Sequence, residues 1–406
     1  MANKRGQPFE GVKVAEFSWF AVGPRTTKFL GEFGAEIIKI ESVSKPDLGR
    51  TAPPFAERIP GVNRSLMWHR YNNSKLSMSL NLKHPKGLEI AKRLIAWADI
   101  VTEAFTPGTM QRLGLSYDEA KKIRPDIIMV STCMQGQTGP DSNSPGVGAT
   151  LTSLCGFNYI TGWADRPPPG IPGAYTDFIT PAINATVLLA ALDYRERTGK
   201  GQYIDLSQLE CSLHYLAPIF LDYVVNNRIF NRSGNRLSYA APHGVYRCCG
   251  EDRWCAIAVF TDEEWQNFCK VIGSPMWTQE NRFSTVLGRV NNANELDKLV
   301  ENWTVEHSAE EVMSLMQMAG VPAGVVETGK DVWEDPQLKY LNALVETDHP
   351  DIGKCFFEKE AVELSKCVHK VQRPALLGEH TQYICENILG MTDGEFVSLL
   401  SEGVFD

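Results

Sequence analysis

Residues 12 to 41 constrain the fold more tightly than any other stretch. Val12 to Phe17 is apolar enough to form a strand and runs through Ser18-Trp19-Phe20-Ala21-Val22-Gly23-Pro24 into a helix expected from about Arg25 to Phe33. Gly34 ends that helix, and Glu36 to Glu41 reads as the next strand. A strand, a helix and a strand within about thirty residues form a βαβ unit, the element of a parallel, Rossmann-like sheet. The loop lacks GxGxxG, and the later Gly146-Val147-Gly148 has Leu151 where a third glycine belongs. The dinucleotide fingerprint is therefore missing, and NAD is not an expected cofactor.

The alternation continues. Residues 42 to 70 read as irregular, with Pro46, Pro53, Pro54 and Pro60. A helix follows from about Lys86 to Ala98, then a strand near Asp99 to Glu103, a helix opened by a Ser116/Glu119 capping box, and a strand at Ile127 to Ser131. In the stretch Gly170 to Glu210, a loop-like lead carries one acid, Asp177, up to an apolar helix. Thr180 reads as that helix's N-cap, Pro181 as its first residue and Thr198-Gly199-Lys200-Gly201 as its stop. Tyr203 to Leu206 reads as a short buried strand.

After a helix from about Cys211 to Val225, the polar, turn-rich Asn226 to Arg236 marks a boundary. Beyond it, Gly244 to Cys248 and Trp254 to Val259 pair around Gly250-Glu251-Asp252, and capping boxes at Thr261/Glu264 and Ser308/Glu311 open helices. This middle section is a smaller α+β domain. The tail from about Asp331 carries extended segments and a last helix capped at Thr392/Glu395.

Composition excludes several classes. With 406 residues, 43% apolar and 22% charged, the chain is an ordinary globular protein, long enough for two domains. A net charge of −9 argues against nucleic acid as a partner. The leading MANKRGQPFEG has no apolar core of signal-peptide length, and no run approaches the roughly 18 apolar residues of a membrane span, so a cytoplasmic protein is expected. Ten cysteines without CxxC and eight dispersed histidines without HExxH predict reduced thiols and no metal.

Asp177 is the candidate for chemistry. It either caps the helix by accepting orphan amide hydrogens, or, kept ionised by the positive helix end, serves as a nucleophile. The wider pattern separates these readings. In order, the chain carries GVKVAEF…VGP…FLGEFGAEIIKIES, NNSKLSMSLNL, FTPGTMQRLGL, QGQTGP, the Asp177 stretch, RTGKGQYIDLSQLE and LLGEHTQYICENILG. Each segment is weak alone, but the ordered set spans nearly the whole chain. Together they resemble the class III CoA-transferases, the family of formyl-CoA transferase, carnitine CoA-transferase and the succinyl-CoA:benzylsuccinate CoA-transferases.

The resemblance implies that Asp177 is the catalytic nucleophile, passing through an anhydride and an aspartyl-CoA thioester. It implies coenzyme A contacts at Phe20 and Ala21 in the first loop, at Lys75, and at Phe105 and Arg112. The implied fold is α/β, with a Rossmann-like large domain of residues 1–225 and 331–406 and a small domain of residues 226–330. An interlocked dimer is implied too, either a homodimer or a heteromer with a related subunit.

The chain also departs from that pattern. Ala21 replaces the glutamine of formyl-CoA transferase, Gly148 replaces an acidic neighbour of the nucleophile, and the glycine-run loop is absent from the small domain. The shield over an anhydride is thus left unassigned, with His243 and Tyr246 as candidate pocket residues. The small side chains lean towards a bulky or aromatic acceptor such as benzylsuccinate, with succinyl-CoA as donor. The related α-methylacyl-CoA racemases need a histidine as second base, and Val147 stands at that position. A non-catalytic partner subunit is the third reading, opposed by the retained Asp177.

Overall fold

The computed structural model describes residues 6–171, 173–367 and 369–406, so the first five residues of MANKRGQPFEG lie outside the described residues. The chain divides into two compact units, Met1–Phe157 with Ile171–Ile229 and Tyr340–Asp406, and Asn158–Gly170 with Phe230–Lys339. The small domain expected at 226–330 contains neither 158–170 nor 331–339.

The first unit holds, in order, β1 (Lys13–Glu16), α1 (Val22–Glu32), β2 (Glu36–Glu41), α2 (Leu66–Asn72), β3 (Leu76–Ser79), α3 (Pro85–Trp97) and β4 (Ile100–Glu103). Then come α4 (Thr109–Arg112), α5 (Tyr117–Ile123), β5 (Ile128–Cys133) and α6 (Gly148–Leu154), and, after the single turn α7 (Phe157–Ile160) that leads into the second unit, α8 (Tyr175–Thr198), β6 (Tyr203–Ser207) and α9 (Gln208–Asn226). The six strands are all parallel, in the order β3-β2-β1-β4-β5-β6. Strands covered on both faces read as continuous apolar runs, and that is the pattern here. Ala15, Ile38, Val101 and Met129 face one core with Leu94, Ile95 and Ile384, while Val14, Ile37, Ile100 and Val130 face another with Leu30 and Leu188.

Several boundaries differ from those read in the sequence. Helix α1 starts at Val22, because Pro24 falls within the first turn, where its missing N–H costs nothing. Both α2 and β3 form in stretches that carried no such expectation, α2 being capped by the Ser65 hydroxyl. Ser116 precedes α5 without capping it through its side chain. Strand β6 lies at the sheet edge, so Tyr203 is exposed rather than buried.

The largest correction concerns α8. It begins at Tyr175, and Asp177 lies within its first turn instead of ahead of it. Thr180 does not cap: its hydroxyl donates to the Thr176 carbonyl at 2.8 Å. Pro181 sits inside the helix and has no N–H to offer the Asp177 carbonyl four residues back. By length and composition α8 alone among the described helices suffices to cross a membrane, contrary to the sequence reading, yet it buries Thr176, Asp177, Thr180 and Asn184 as a core helix.

The second unit has a three-stranded antiparallel sheet of β7 (His243–Arg247), β8 (Trp254–Ala258) and β9 (Ala323–Val325). Helices Asp262–Val271, Ala293–Thr304 and Ala309–Met318 pack on it around Cys255, Phe268, Leu296 and Val312. The boxes at Thr261/Glu264 and Ser308/Glu311 are both formed. Back in the first unit, β10 (Leu344–His349) and β11 (Gly353–Glu358) make an antiparallel hairpin, and the last helix, Asp393–Ser401, carries its Thr392/Glu395 box.

Candidate active site

In a sheet ordered 3-2-1-4-5-6, ligands bind beyond the carboxyl ends of the strands, where the winding reverses between β1 and β4. Those two strands deliver the loops Ser18–Ala21 and Ala104–Phe105. The loops meet, since the Trp19 and Phe105 rings pack edge to face with centroids 5.8 Å apart. Ala21, buried, is the N-terminal flanking residue of α1. Phe20 has φ = 71°, a left-handed conformation that a bulky residue adopts only when held there. The Asp47 carboxylate holds it, accepting the Phe20 N–H at 2.9 and 3.1 Å.

Asp47 belongs to a buried ionic network behind the loop. Lys39 donates to the Ser18 carbonyl at 2.6 Å and to Asp47 at 2.8 Å. Burial pulls its pKa down, but Asp47, Glu16 and Glu41 outweigh that and raise it. Glu16 accepts from the Thr27 hydroxyl at 2.8 Å, from Ser18 at 3.0 Å and from Lys75 at 2.9 Å. Arg50 grips Glu41 through two bonds, at 2.7 and 2.8 Å. The Lys75 ammonium is thereby committed within the protein, to Glu16, the Pro24 carbonyl at 2.7 Å and Asn72 at 3.1 Å. Burial, only partly offset by Glu16, pushes its pKa down to about 8. Arg112, in contrast, is exposed at the end of α4 and bonds Thr109 at 2.8 Å.

The sheet order also locates Asp177. Helix α8 ends where β6 begins, so its first turn lies at the carboxyl edge of the sheet. Asp177 is 7% exposed. Burial pushes its carboxyl up to about 6, with the Thr176 hydroxyl pulling the other way. Among the described residues no cation pairs with it. Gly148, the first residue of α6, is pressed against it: a Cβ there would lie 2.6 and 2.7 Å from the two Asp177 carboxylate oxygens and 2.4 Å from the Ala174 Cβ. Only glycine lets this carboxylate occupy its position. Val147, immediately before, is exposed.

Four side chains complete the surroundings. The buried Tyr71 on α2 has its phenol pKa raised by burial first, with Arg70 and Arg25 lowering it and Asp177 raising it. The Phe178 ring, next in sequence to Asp177, carries the guanidinium of Arg25 at 5.1 Å and that of Arg70 at 5.9 Å.

The structure thus brings Phe20, Ala21 and Phe105 onto adjoining loops, puts Lys75 behind them as a support and leaves Arg112 at the surface. In the second unit, Tyr246 is a core residue whose phenol donates to Asp297 at 2.8 Å, while His243 lines a cavity of about 370 Å³ with Val245, Ile257 and Pro322. Sequence reasoning missed Glu16, Lys39, Asp47, Arg25 and Tyr71. For the first two the signal was present, since a charge at the end of the apolar strand β1 or in the middle of β2 requires a buried partner. Among the described residues no group of three or more His, Cys, Asp or Glu side chains is arranged to hold a metal.

The fold and site define a Rossmann-like enzyme whose polar chemistry lies at the strand ends and not in a dinucleotide-binding turn. The chain belongs to CoA-transferase family III, whose family model matches residues 9–381, and it is a class III CoA-transferase. It is 31% identical over 402 residues to the succinyl-CoA–D-citramalate CoA-transferase of Chloroflexus aurantiacus, covering 98% of both chains. It is also 31% identical over 404 residues to human succinyl-CoA:glutarate CoA-transferase, covering 98% of this chain and 90% of that one. A CaiB/BaiF family protein from Brucella suis superimposes with a TM-score of 0.86 at 30% identity, covering 94% of this chain and 100% of that one.

Proposed function

We propose that this transferase moves CoA from succinyl-CoA to a carboxylic acid through covalent intermediates on Asp177. The observation that carries the reading is the Asp177 carboxylate itself: buried, without a cation, and at about 6 still mostly ionised at neutral pH. A desolvated carboxylate is a better nucleophile than a hydrated one, and ionisation is what attack on a thioester requires.

The Asp177 oxygen adds to the thioester carbonyl, the C–S bond breaks, and CoA thiolate leaves a mixed anhydride. The thiolate then attacks the aspartyl carbonyl, releasing the donor acid as its carboxylate and leaving an aspartyl-CoA thioester. The acceptor carboxylate attacks that thioester and expels the thiolate. The thiolate finally takes the acceptor acyl group and frees Asp177. No proton is gained or lost over the cycle. Each tetrahedral oxyanion needs amide donors, and backbone N–H groups at the start of α6, beside the Asp177 carboxylate, are the candidates.

Coenzyme A enters as cargo. Phe20, Ala21 and Phe105 are the proposed contacts, with Arg112 free to meet a phosphate and Lys75 acting through the loop it supports. For the acceptor we favour a dicarboxylic acid, with benzylsuccinate as the bulky case. Support comes from the small Ala21 and Gly148, from the aromatic Tyr71 and Phe178, and from the acids named for the relatives. A dimer, with a second copy or a related chain, is supported by the apolar side chains that α9 exposes, Leu221, Val224 and Val225 among them. Ten unpaired cysteines fit a reducing, cytoplasmic setting.

The test is to incubate the protein with a panel of acyl-CoAs, trap with hydroxylamine or borohydride, and map modification by peptide mass spectrometry. An adduct at Asp177 is expected with succinyl-CoA. Absence of any adduct, together with exchange of the acyl α-proton in deuterated water, would replace transfer by racemisation.

A further inference from the structure

One basic side chain beside the nucleophile has, among the described residues, a buried donor without an acceptor. Arg25 lies one turn into α1, its N–H bonded to the Ala21 carbonyl at 2.8 Å, and its guanidinium stacks on Phe178, the residue following Asp177. Its Nη1 is buried and, among the described residues, meets no hydrogen-bond acceptor. The two fully buried arginines are well served. Arg50 is held by Glu41 and Asn63, and Arg289 by the carbonyls of Ala241 and Phe283 and by Asp262. Arg70, stacked on the same Phe178 ring, is tied to Glu358.

A guanidinium is always charged and presents its donors in a rigid planar fork that matches a carboxylate. A buried donor without an acceptor costs free energy, so an orphan at a site edge marks an absent acceptor. That acceptor is not Asp177. A cation serving the nucleophile would hold its carboxyl down, whereas this one is raised.

We propose that Arg25 receives the distal carboxylate of a dicarboxylic acyl group whose reacting carbonyl is held at Asp177. The proposal rests on the transferase reading above and deepens it by naming the residue that selects dicarboxylic acids over monocarboxylic acids of equal length. One carboxyl of the substrate is consumed by the chemistry. The other stays ionised and must leave water, and an arginine with a free fork over an aromatic ring is suited to receive it.

The experiment compares succinyl-CoA with butyryl-CoA, which has the same four-carbon chain without the second carboxylate. The readout is the ratio of their kcat/KM values for CoA release under hydroxylamine, in the native chain and in the Arg25→Met, Arg25→Gln and Arg25→Lys variants. The native ratio is expected to favour succinyl-CoA. In Arg25→Met and Arg25→Gln it falls by about 10- to 100-fold, the size of a lost charge-assisted hydrogen bond, and in Arg25→Lys it recovers in part.

An equal fall for both thioesters would assign Arg25 to a phosphate of CoA and overturn the proposal. So would an unchanged ratio, or a native preference for butyryl-CoA. Using a ratio separates recognition from damage to the fold, and Arg25→Lys gives a reading even where the neutral variants fail to fold. No CoA release by the native chain from any thioester would instead remove the transferase reading, and this assignment with it.

Discussion

Among the carboxylates that the first unit buries, two sites are treated in opposite ways. Behind the β1–α1 loop, Glu16, Asp47 and Glu41 are each matched by Lys39, Lys75 or Arg50, and their oxygens are further engaged by Ser18, Thr27 and the Phe20 amide. At the start of α8, Asp177 is buried as well, but it faces a glycine and, among the described residues, pairs with no cation. Paired charges in a low-dielectric interior fix geometry, and here they hold Phe20 in a left-handed turn. An unpaired carboxylate gains no such stabilisation and keeps its reactivity. Ion pairing thus separates these two sites where burial alone does not.

The strongest way to break the comparison is to remove the unpaired carboxylate. Asp177→Ala is expected to cut CoA transfer by more than about 10³-fold while the protein stays folded, as for loss of a nucleophile. Single-turnover release of CoA from succinyl-CoA checks it, and near-native release would show that the acid is only part of a helix turn.

Removing a paired carboxylate should do the reverse. Glu16→Gln leaves Lys75 and Lys39 desolvated without their shared partner, and breaking a buried pair from one side costs about 3–5 kcal/mol. Denaturant unfolding reads that loss. A cost below about 1 kcal/mol would mean the network tolerates a neutral member, and the scaffold role would fall.

Next in size is the contact that shapes the Asp177 site. In Gly148→Ala the new Cβ meets both Asp177 oxygens and the Ala174 Cβ, so the carboxylate has to move. Displacing a reacting group by about 1 Å costs on the order of 10²-fold in kcat. Steady-state kinetics at saturating succinyl-CoA should show that drop, with a smaller change in thermal midpoint than Glu16→Gln produces.

How much of this was legible from the sequence follows the range of the forces involved. Strand β2 and the boxes at Thr261/Glu264, Ser308/Glu311 and Thr392/Glu395 were readable because their causes lie within four residues. Strand β3, Leu-Ser-Met-Ser, and the three-residue β9 were not, since pairing across the sheet makes them strands where local propensity does not. The start of α8 was misplaced because Pro181 imitates a first-turn proline. Asp177 was found through the ordered motifs, but its contact with Gly148 spans 29 positions and no local pattern encodes it. The ordered motifs implied Lys75 as a coenzyme A contact, and only the fold ties it to Glu16.

The smallest effect sharpens the comparison most. Asp177 is ordinarily a carboxyl of pKa 3.8, and in the fold it rises to about 6, so the folded state holds its proton more tightly than the unfolded chain. Linkage then fixes the sign. The folded protein binds more protons between about pH 4 and 6, stability falls as pH rises through that window, and above it the penalty for the buried charge is fully present. The upper bound is on the order of 3 kcal/mol, from about 1.4 kcal/mol per tenfold change in proton affinity. Asp177→Asn removes the charge but keeps a buried polar amide, so a gain of about 1–2 kcal/mol is expected at pH 7, vanishing below about pH 4. The same carboxyl should appear in the native enzyme as an acid limb in kcat/KM with a midpoint near pH 6, because only the ionised form attacks. Glu16→Gln leaves Asp177 in place and must therefore keep the acid limb near pH 6. If the acid limb and the stability difference fall at different pH values, the group that titrates in catalysis is not the one that strains the fold.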